Sequence, residues 1–190
     1  MSKILLPSLL TLLVFSVLTG IVYPLVVTGI AAVCCARAAG GSLILQGDRL
    51  VGSALLGQPF EDPKYFWSRP SATMPQPYNG ASSTGSNLGP TNPAQIDAVK
   101  MRVSALQQAD PDDKLPVPVD LVTASASGLD PHISPAGAEY QVTRVARARG
   151  IDPDRLRGLI AAHTQSRQWG VFGEPRVNVL ELNLALDGLH

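Results

Sequence analysis

The segment Thr123-Ala-Ser-Ala-Ser-Gly-Leu-Asp-Pro-His-Ile-Ser134 holds the ingredients of nucleophilic catalysis in one short stretch: Ser125, Ser127, Asp130 and His132. A triad needs a base that reaches the nucleophile and an acid that orients the base. Residues this close along a chain rarely meet both demands, and no Gly-x-Ser-x-Gly elbow is present to present a serine. The alternative is a hydroxyl-rich turn in which Asp130 and Ser134 accept from backbone amides. Phosphate chemistry lacks its cradle, since the chain has no Gly-x-x-x-x-Gly-Lys-Ser/Thr loop. Gly85-Ser-Asn-Leu-Gly89 carries glycines but no lysine, and reads as a tight polar turn. His132, His163 and His190 are scattered, and Cys34 and Cys35 are adjacent, so neither a zinc site nor a disulfide framework is expected. Arg69, in Tyr65-Phe-Trp-Ser-Arg-Pro-Ser-Ala72, is the last charge before 27 uncharged residues. Its planar fork suits either the backbone carbonyls of an irregular loop or a direct partner contact.

These residues must be held by a chain of 190 residues, 17 of them Gly and 16 Pro. That is room for one ordinary domain and an appendage. Net charge is zero, which removes the electrostatic case for nucleic-acid binding. Only 16 % of residues are charged, and the shortage is local: 33 uncharged residues separate Lys3 from Arg37. A hydrocarbon core about 30 Å thick needs roughly 20 helical residues. We therefore expect a short tail at 1–7, a retained transmembrane helix at 8–34 and one soluble domain at 35–190. The run is too long for a cleaved signal, and Cys34 is preceded by Ala31 and Val33, a poor lipobox. Pro24 should kink the span. Gly20, Thr28, Gly29 and Ala32 are small enough to let partner helices approach closely. Lys3 before the span and Arg37 and Arg49 after it leave its orientation open.

Beyond the span, Gly40-Gly41 reads as a hinge, and Gln46-Gly-Asp-Arg49 as the turn of a hairpin. Residues 57–93 are rich in Pro, Gly, Ser and Asn, yet carry Tyr65, Phe66, Trp67 and Tyr78. Aromatics are costly to leave in water, so a packed irregular loop is expected rather than a spacer. Asn92-Pro93 should open a helix with Ile96, Val99, Val103 and Leu106 on one face, ending at Asp110-Pro111. Ser134-Pro135 should open a second, with Ala138, Val142, Val145 and Ala146 inward. Its Arg144, Arg147 and Arg149 lie where cations suit the helix dipole, and Gly150 stops it. Asp152-Pro153 caps a third, with Leu156, Leu159 and Ile160 inward. Val177–Leu186 alternates like a strand, but the Asn178/Glu181 spacing favours a short helix ending at Gly188. The fold class expected is a single N-terminal transmembrane helix followed by one small α/β (α+β) soluble domain.

Four stretches, in order, resemble the C subunit of the Kdp potassium-transporting ATPase: Tyr65-Phe-x-x-Arg-Pro-Ser-Ala72, Gly85-Ser-Asn-Leu-Gly-Pro90, Pro118 through Pro135, and Gly173-Glu-Pro-Arg-Val-Asn-Val-Leu180. So does the single N-terminal span with Tyr23-Pro24 inside it. The Cys34-Cys-Ala-Arg-Ala-Ala-Gly40 exit departs from the proline-containing one expected of that family. The resemblance implies an accessory, non-catalytic subunit of an inner-membrane complex that imports K⁺ at the expense of ATP. Its implied partners are a channel-like K⁺-translocating subunit, a P-type ATPase subunit and membrane lipid, with no nucleic acid. The soluble domain is implied to lie outside the cytoplasm and to act as a catalytic chaperone that raises ATP use by the ATPase subunit. The resemblance also implies that the family's Thr-Ala-Ser-x-Ser-Gly motif, matched here by Thr123–Gly128, is similar to an ATP-cassette signature and that direct contact with ATP is suggested for the family. Without a phosphate loop, ATP is expected to act through the partner subunit, and no cofactor is expected. Candidate partner-contact or motif residues are Arg69, Ser71, Ser86, Asn87, Thr123, Ser125, Ser127, Asp130 and His132, and the charge-poor loop from Tyr65 to Pro90 suits docking. Two rival readings are a lipidated or secreted serine hydrolase using Ser125 or Ser127 with His132, and a cytoplasm-facing nucleotide-binding regulator.

Overall fold

Leucine, isoleucine and valine crowd the first turns of the chain, and the computed structural model, which describes residues 2–189, forms them into one long helical rod. Helix α1 (Ser2–Val17) passes through a π-helical turn, Leu18–Val22, into α2 (Tyr23–Cys34). Ile4–Cys34 is 31 residues long with a mean hydropathy of 2.3 and none of it is buried, so it is long and apolar enough to cross a membrane. The expected disturbance at Pro24 takes the form of the wide turn. A proline ring collides with the carbonyl four residues back, here Gly20. The π turn opens the spacing, and the Tyr23 N–H donates to Leu18 O, five residues back. Cys35 (φ −140°, ψ 40°) breaks the helix, and a single turn, α3 (Ala36–Ala39), follows.

Two compact units result, one up to Leu43 and one from Ile44 on. The second is an α+β lobe. Strands β1 (Leu43–Gln46) and β2 (Arg49–Ser53) pair as the expected hairpin, with Gly47 at φ +61° in its turn. Helix α4 (Pro93–Ala109) begins as predicted, the Asn92 side chain accepting from the Ala94 N–H at 2.9 Å. Leu106 is buried and Val99 and Val103 pack on the core, while Ile96 stays exposed. A 3₁₀ turn (Val119–Leu121) leads to β3 (His132–Ile133). Then come α5 (Pro135–Tyr140), α6 (Val142–Arg149) and α7 (Pro153–Ala162). Strands β4 (Thr164–Gln165) and β5 (Arg176–Asn178) and helix α8 (Val179–Asp187) complete the lobe. The sheet order is β3-β5-β4, antiparallel, with His132 opposite Asn178 and Thr164 opposite Val177. The core gathers Val142, Val145, Leu156, Val177, Leu182 and Leu186 around Phe66, all 1 % exposed or less.

Two departures from the sequence reading share one cause. The helix expected from Ser134 to Gly150 is divided at Gln141 (φ −92°, ψ −6°), although its predicted inward residues Ala138, Val142, Val145 and Ala146 are all buried. Arg144, expected at a helix end for its charge, is itself buried. Both serve the irregular segment Pro63–Trp67, whose backbone has no strand partner. Gln141 Oε1 accepts from the Trp67 N–H at 2.7 Å, and its Nε2 donates to the Trp67 carbonyl at 3.1 Å. Asn183, on α8, grips the Phe66 N–H and carbonyl in the same way, both at 2.9 Å. Arg144 donates to the carbonyls of Pro63 (2.6 Å) and Tyr65 (3.1 Å) and lies 4.1 Å above the Trp67 ring. Arg149 donates to the Lys64 carbonyl at 2.8 Å. Two amides and two guanidiniums thus do what a neighbouring strand would do: they satisfy backbone groups that burial would otherwise orphan. The loop is packed and irregular as expected, with its aromatics directed inward: Phe66 is fully buried, and Tyr65, Trp67 and Tyr78 are half-buried.

At the end of the chain the alternation and the capping signal are both correct for different residues. Arg176–Asn178 is strand, and Asn178 then caps α8, accepting from the Glu181 N–H at 3.1 Å. The expected His190 lies outside the described residues.

Candidate functional site

Hydroxyls, a carboxylate, an imidazole and a guanidinium meet where the 123–134 segment folds against the 69–85 loop. Glycine sets how closely they meet. Gly128 has φ +67°, and a Cβ there would fall 2.6 Å from both Thr73 Cγ2 and Thr84 O. A Cβ on Gly85 would fall 2.8 Å from Ala126 O. The layers are stitched by Ser71 Oγ donating to Gly128 O (2.7 Å) and the Thr84 N–H donating to Ser127 O (3.0 Å). On the other side β5 holds β3 in register, which sets His132 beside the turn.

Arg69 Nη1 donates to Asp130 Oδ2 at 2.8 Å. The other oxygen, Asp130 Oδ1, lies 3.1 Å from His132 Nδ1 and accepts the His132 backbone N–H at 3.0 Å. Arg69 Nη2 reaches toward Thr123 O at 3.4 Å, and the Arg69 carbonyl accepts from the Tyr78 hydroxyl. The Arg69–Asp130 pair is common to the walls of two open clefts. One, about 560 Å³, is lined by Leu55, Leu56, Ser125, Ser127 and Leu129; the other, about 370 Å³, by Asp120, His132, Ser134, Glu174 and Arg176.

Burial by itself would raise the Asp130 carboxyl. Hydrogen bonds from the His132 ring and backbone and from Arg69, with the Arg69 charge, override it and hold the group at about 2. A general acid or base works best near the operating pH, so a carboxylate held that low is suited to bracing its neighbours. The sign for stability follows: a depressed folded value contributes stability above the unfolded value of about 3.9, lost as pH falls toward the folded one. Asp130→Asn is therefore expected to flatten the loss of stability between about pH 4 and pH 2, read as urea midpoints across that range. An acid limb as steep as in the parent protein would refute this.

The hydroxyls are engaged locally. Ser125 Oγ accepts from the Gly128 N–H (2.9 Å), Ser127 Oγ from the Leu129 N–H (3.1 Å), and Thr123 Oγ1 donates to Val119 O (2.7 Å). Among the described residues no hydroxyl hydrogen-bonds to the His132 ring, and no group of three metal-ligating side chains occurs. The predicted turn is thus present, with Asp130 accepting from His132 and Ser134 Oγ accepting from the Gly137 N–H at 2.9 Å. Asp120, unremarked in the sequence, accepts from the Ser134 N–H at 2.6 Å. Its signal was position: it falls within the 118–135 stretch. The structure gathers Arg69, Ser71, Thr123, Ser125, Ser127, Asp130 and His132. Ser86 and Asn87 stand apart, exposed on their turn, with Asn87 at φ +53°. Gly20, Pro24, Thr28, Gly29 and Ala32 lie on the apolar rod, where a Cβ on Gly20 or Gly29 would meet nothing within 4 Å.

The family model for the c chain of K⁺-transporting ATPase matches residues 5–188. A protein of Dechloromonas aromatica is 61 % identical over 189 residues, covering 100 % of this chain and 99 % of its own. One from Polynucleobacter asymbioticus is 63 % identical over 173 residues (91 % and 92 %), and one from Sorangium cellulosum 63 % over 182 residues (96 % of each). Each of the three bears the name potassium-transporting ATPase KdpC subunit.

Proposed function

We propose, from the premise that this chain belongs to the KdpC family of K⁺-transporting ATPase c chains, that it is an accessory subunit which does no chemistry of its own. It holds a larger K⁺-importing complex together and raises ATP use by the P-type ATPase subunit, acting as a catalytic chaperone. Its helix sits in the inner membrane beside the channel-like K⁺-translocating subunit, with Gly20, Thr28, Gly29 and Ala32 allowing close helix approach. The lobe lies outside the cytoplasm.

One observation supports the non-catalytic reading above the others: the Ser125 and Ser127 hydroxyls accept local backbone amides, and among the described residues no hydroxyl hydrogen-bonds to the His132 ring, which faces Asp130 instead. Ser125 and Ser127 accept from amides two or three residues on. Gly128 offers its N–H to Ser125. The sequence carries no Gly-x-x-x-x-Gly-Lys-Ser/Thr phosphate loop, which favours ATP acting through the partner subunit.

Membranes containing the full complex are expected to lose K⁺-stimulated ATP hydrolysis when this chain is deleted, and to regain it when the chain is restored. The purified chain alone is expected to hydrolyse no ATP. Unchanged activity in the deletion, or turnover by the chain alone, overturns the proposal.

A further inference from the structure

Between β4 and β5 the chain makes a small projecting hairpin that the clefts do not use. Gln168 and Phe172 bridge it: the Gln168 N–H donates to Phe172 O at 2.8 Å, and the Phe172 N–H to Gln168 O at 2.9 Å. Its tip is Trp169-Gly-Val171, with Trp169 90 % exposed, Val171 69 % and Phe172 60 %. Trp169 stands at φ +53°, followed by Gly170 at +76°. A bulky side chain in the left-handed region is strained, and Asn, Asp or Gly is the ordinary occupant of such a turn. Here the strain supports no internal packing, because the indole is almost wholly in solvent. Its one aromatic neighbour is the equally exposed Phe172, edge-on at 5.9 Å. Strain maintained at an exposed aromatic, with no return to the fold, is the mark of a residue kept for contact.

The surrounding charge distinguishes the occupant. At the base of the hairpin Arg167 is paired with Glu174, and no charged residue lies between them. An aromatic tip that binds an anionic bilayer surface ordinarily carries a basic collar. This one has a neutralised pair and a single further cation, Arg176, bonded to the Gln165 amide at 3.2 Å, well short of such a collar, which suits an uncharged protein cavity, where Trp is an enriched anchor.

We infer that the Gln168–Phe172 hairpin is a docking anchor whose Trp169 and Phe172 side chains enter an apolar pocket on a partner subunit of the complex. The inference rests on the accessory-subunit reading and adds the place of contact.

The test uses the full chain with its tryptophans replaced by 5-fluorotryptophan. The chain has 2 tryptophans, so two ¹⁹F signals arise, and Trp169→Phe assigns one. In lipid nanodiscs without partners, the Trp169 signal is expected to show the full H₂O/D₂O isotope shift of an exposed indole. In the assembled complex that shift is expected to vanish. The double variant Trp169→Ser, Phe172→Ser is expected to keep the parent's thermal unfolding and to be retained by the partner subunits at least about tenfold less, the loss of one anchor residue. A shift already lost in lipid alone assigns the tip to the bilayer and overturns the inference, as does a shift that persists in the complex. If the double variant assembles normally while deletion still abolishes activity, the inference fails and the accessory-subunit reading stands. If the parent chain does not assemble at all, both fail.

Discussion

Asn183→Ala is expected to destabilise the lobe by roughly 3 kcal/mol, because it strands two buried backbone groups at once. The Phe66 N–H and carbonyl each have Asn183 as partner, both at 2.9 Å, and Asn183 is 2 % exposed. An orphaned buried donor or acceptor costs about 1–3 kcal/mol, and a methyl group offers neither. Gln141→Ala should act similarly on Trp67, and more because Gln141 Oε1 also accepts from Arg144 at 2.6 Å. Urea unfolding of the full-length chain in detergent, followed by Trp67 fluorescence in a Trp169→Phe background, reads both. A cost below about 1 kcal/mol would mean that water or relaxation replaces the clamp. Asn183→Asp sharpens the test. A protonated carboxyl can still donate to the Phe66 carbonyl, whereas the carboxylate faces that carbonyl with no proton. The folded value of such a group is raised, so its stabilising form is present below the unfolded value of about 3.9 and is lost as pH rises. This variant should be relatively more stable in acid, opposite in sign to Asp130.

The second large effect belongs to Arg144. Arg144 is 4 % exposed, and its guanidinium bonds neutral oxygens of Pro63, Tyr65 and Gln141 while stacking on Trp67. Burial pulls the group down to about 10, with Asp110 and Asp62 opposing the shift from a distance. Arg144→Lys retains the charge but not the planar fork, so it cannot reach the same acceptors and cover the ring together. The expected cost is about 3 kcal/mol, from lost charge-assisted hydrogen bonds and the stacking contact. Arg144→Met should cost about as much, since the carbonyls still lose their donor. A lysine variant as stable as the parent would show that charge alone holds the segment.

These clamps mark where the sequence stops being readable. Local chemistry announced Asn92-Pro93, Ser134-Pro135 and Asp152-Pro153 as helix starts, because a cap acts on amides two or three residues away. It announced the hairpin at Gly47 and the inward faces of α6 and α7 for the same reason. It could not announce the division at Gln141. In Tyr140-Gln-Val-Thr only the β-branched Val142 and Thr143 disfavour a helix, and only slightly; the division accompanies a contact 74 residues away, with Trp67. Arg144 was misplaced likewise, since its backbone acceptors lie 79 and 81 residues off. In the site, the Asp130–His132 contact was close enough in sequence to suspect. Arg69 and Asp130 are 61 residues apart, and only the resemblance brought their segments together. Trp169 gave no signal, because strain at a positive φ is visible only in the backbone.

The wide turn at Leu18–Val22 has a geometric consequence for the rod. Taking up one extra residue in a turn sets everything beyond it back by about 100° around the axis, relative to a constant-pitch count. A helical wheel drawn with constant pitch from Ile4 to Cys34 therefore misaligns its two halves. Thr28, Gly29 and Ala32 point along an azimuth that the sequence spacing from Leu9 or Leu13 does not predict. A rod re-phased in this way can turn one flank to one neighbour along its first half and a different flank to another along its second.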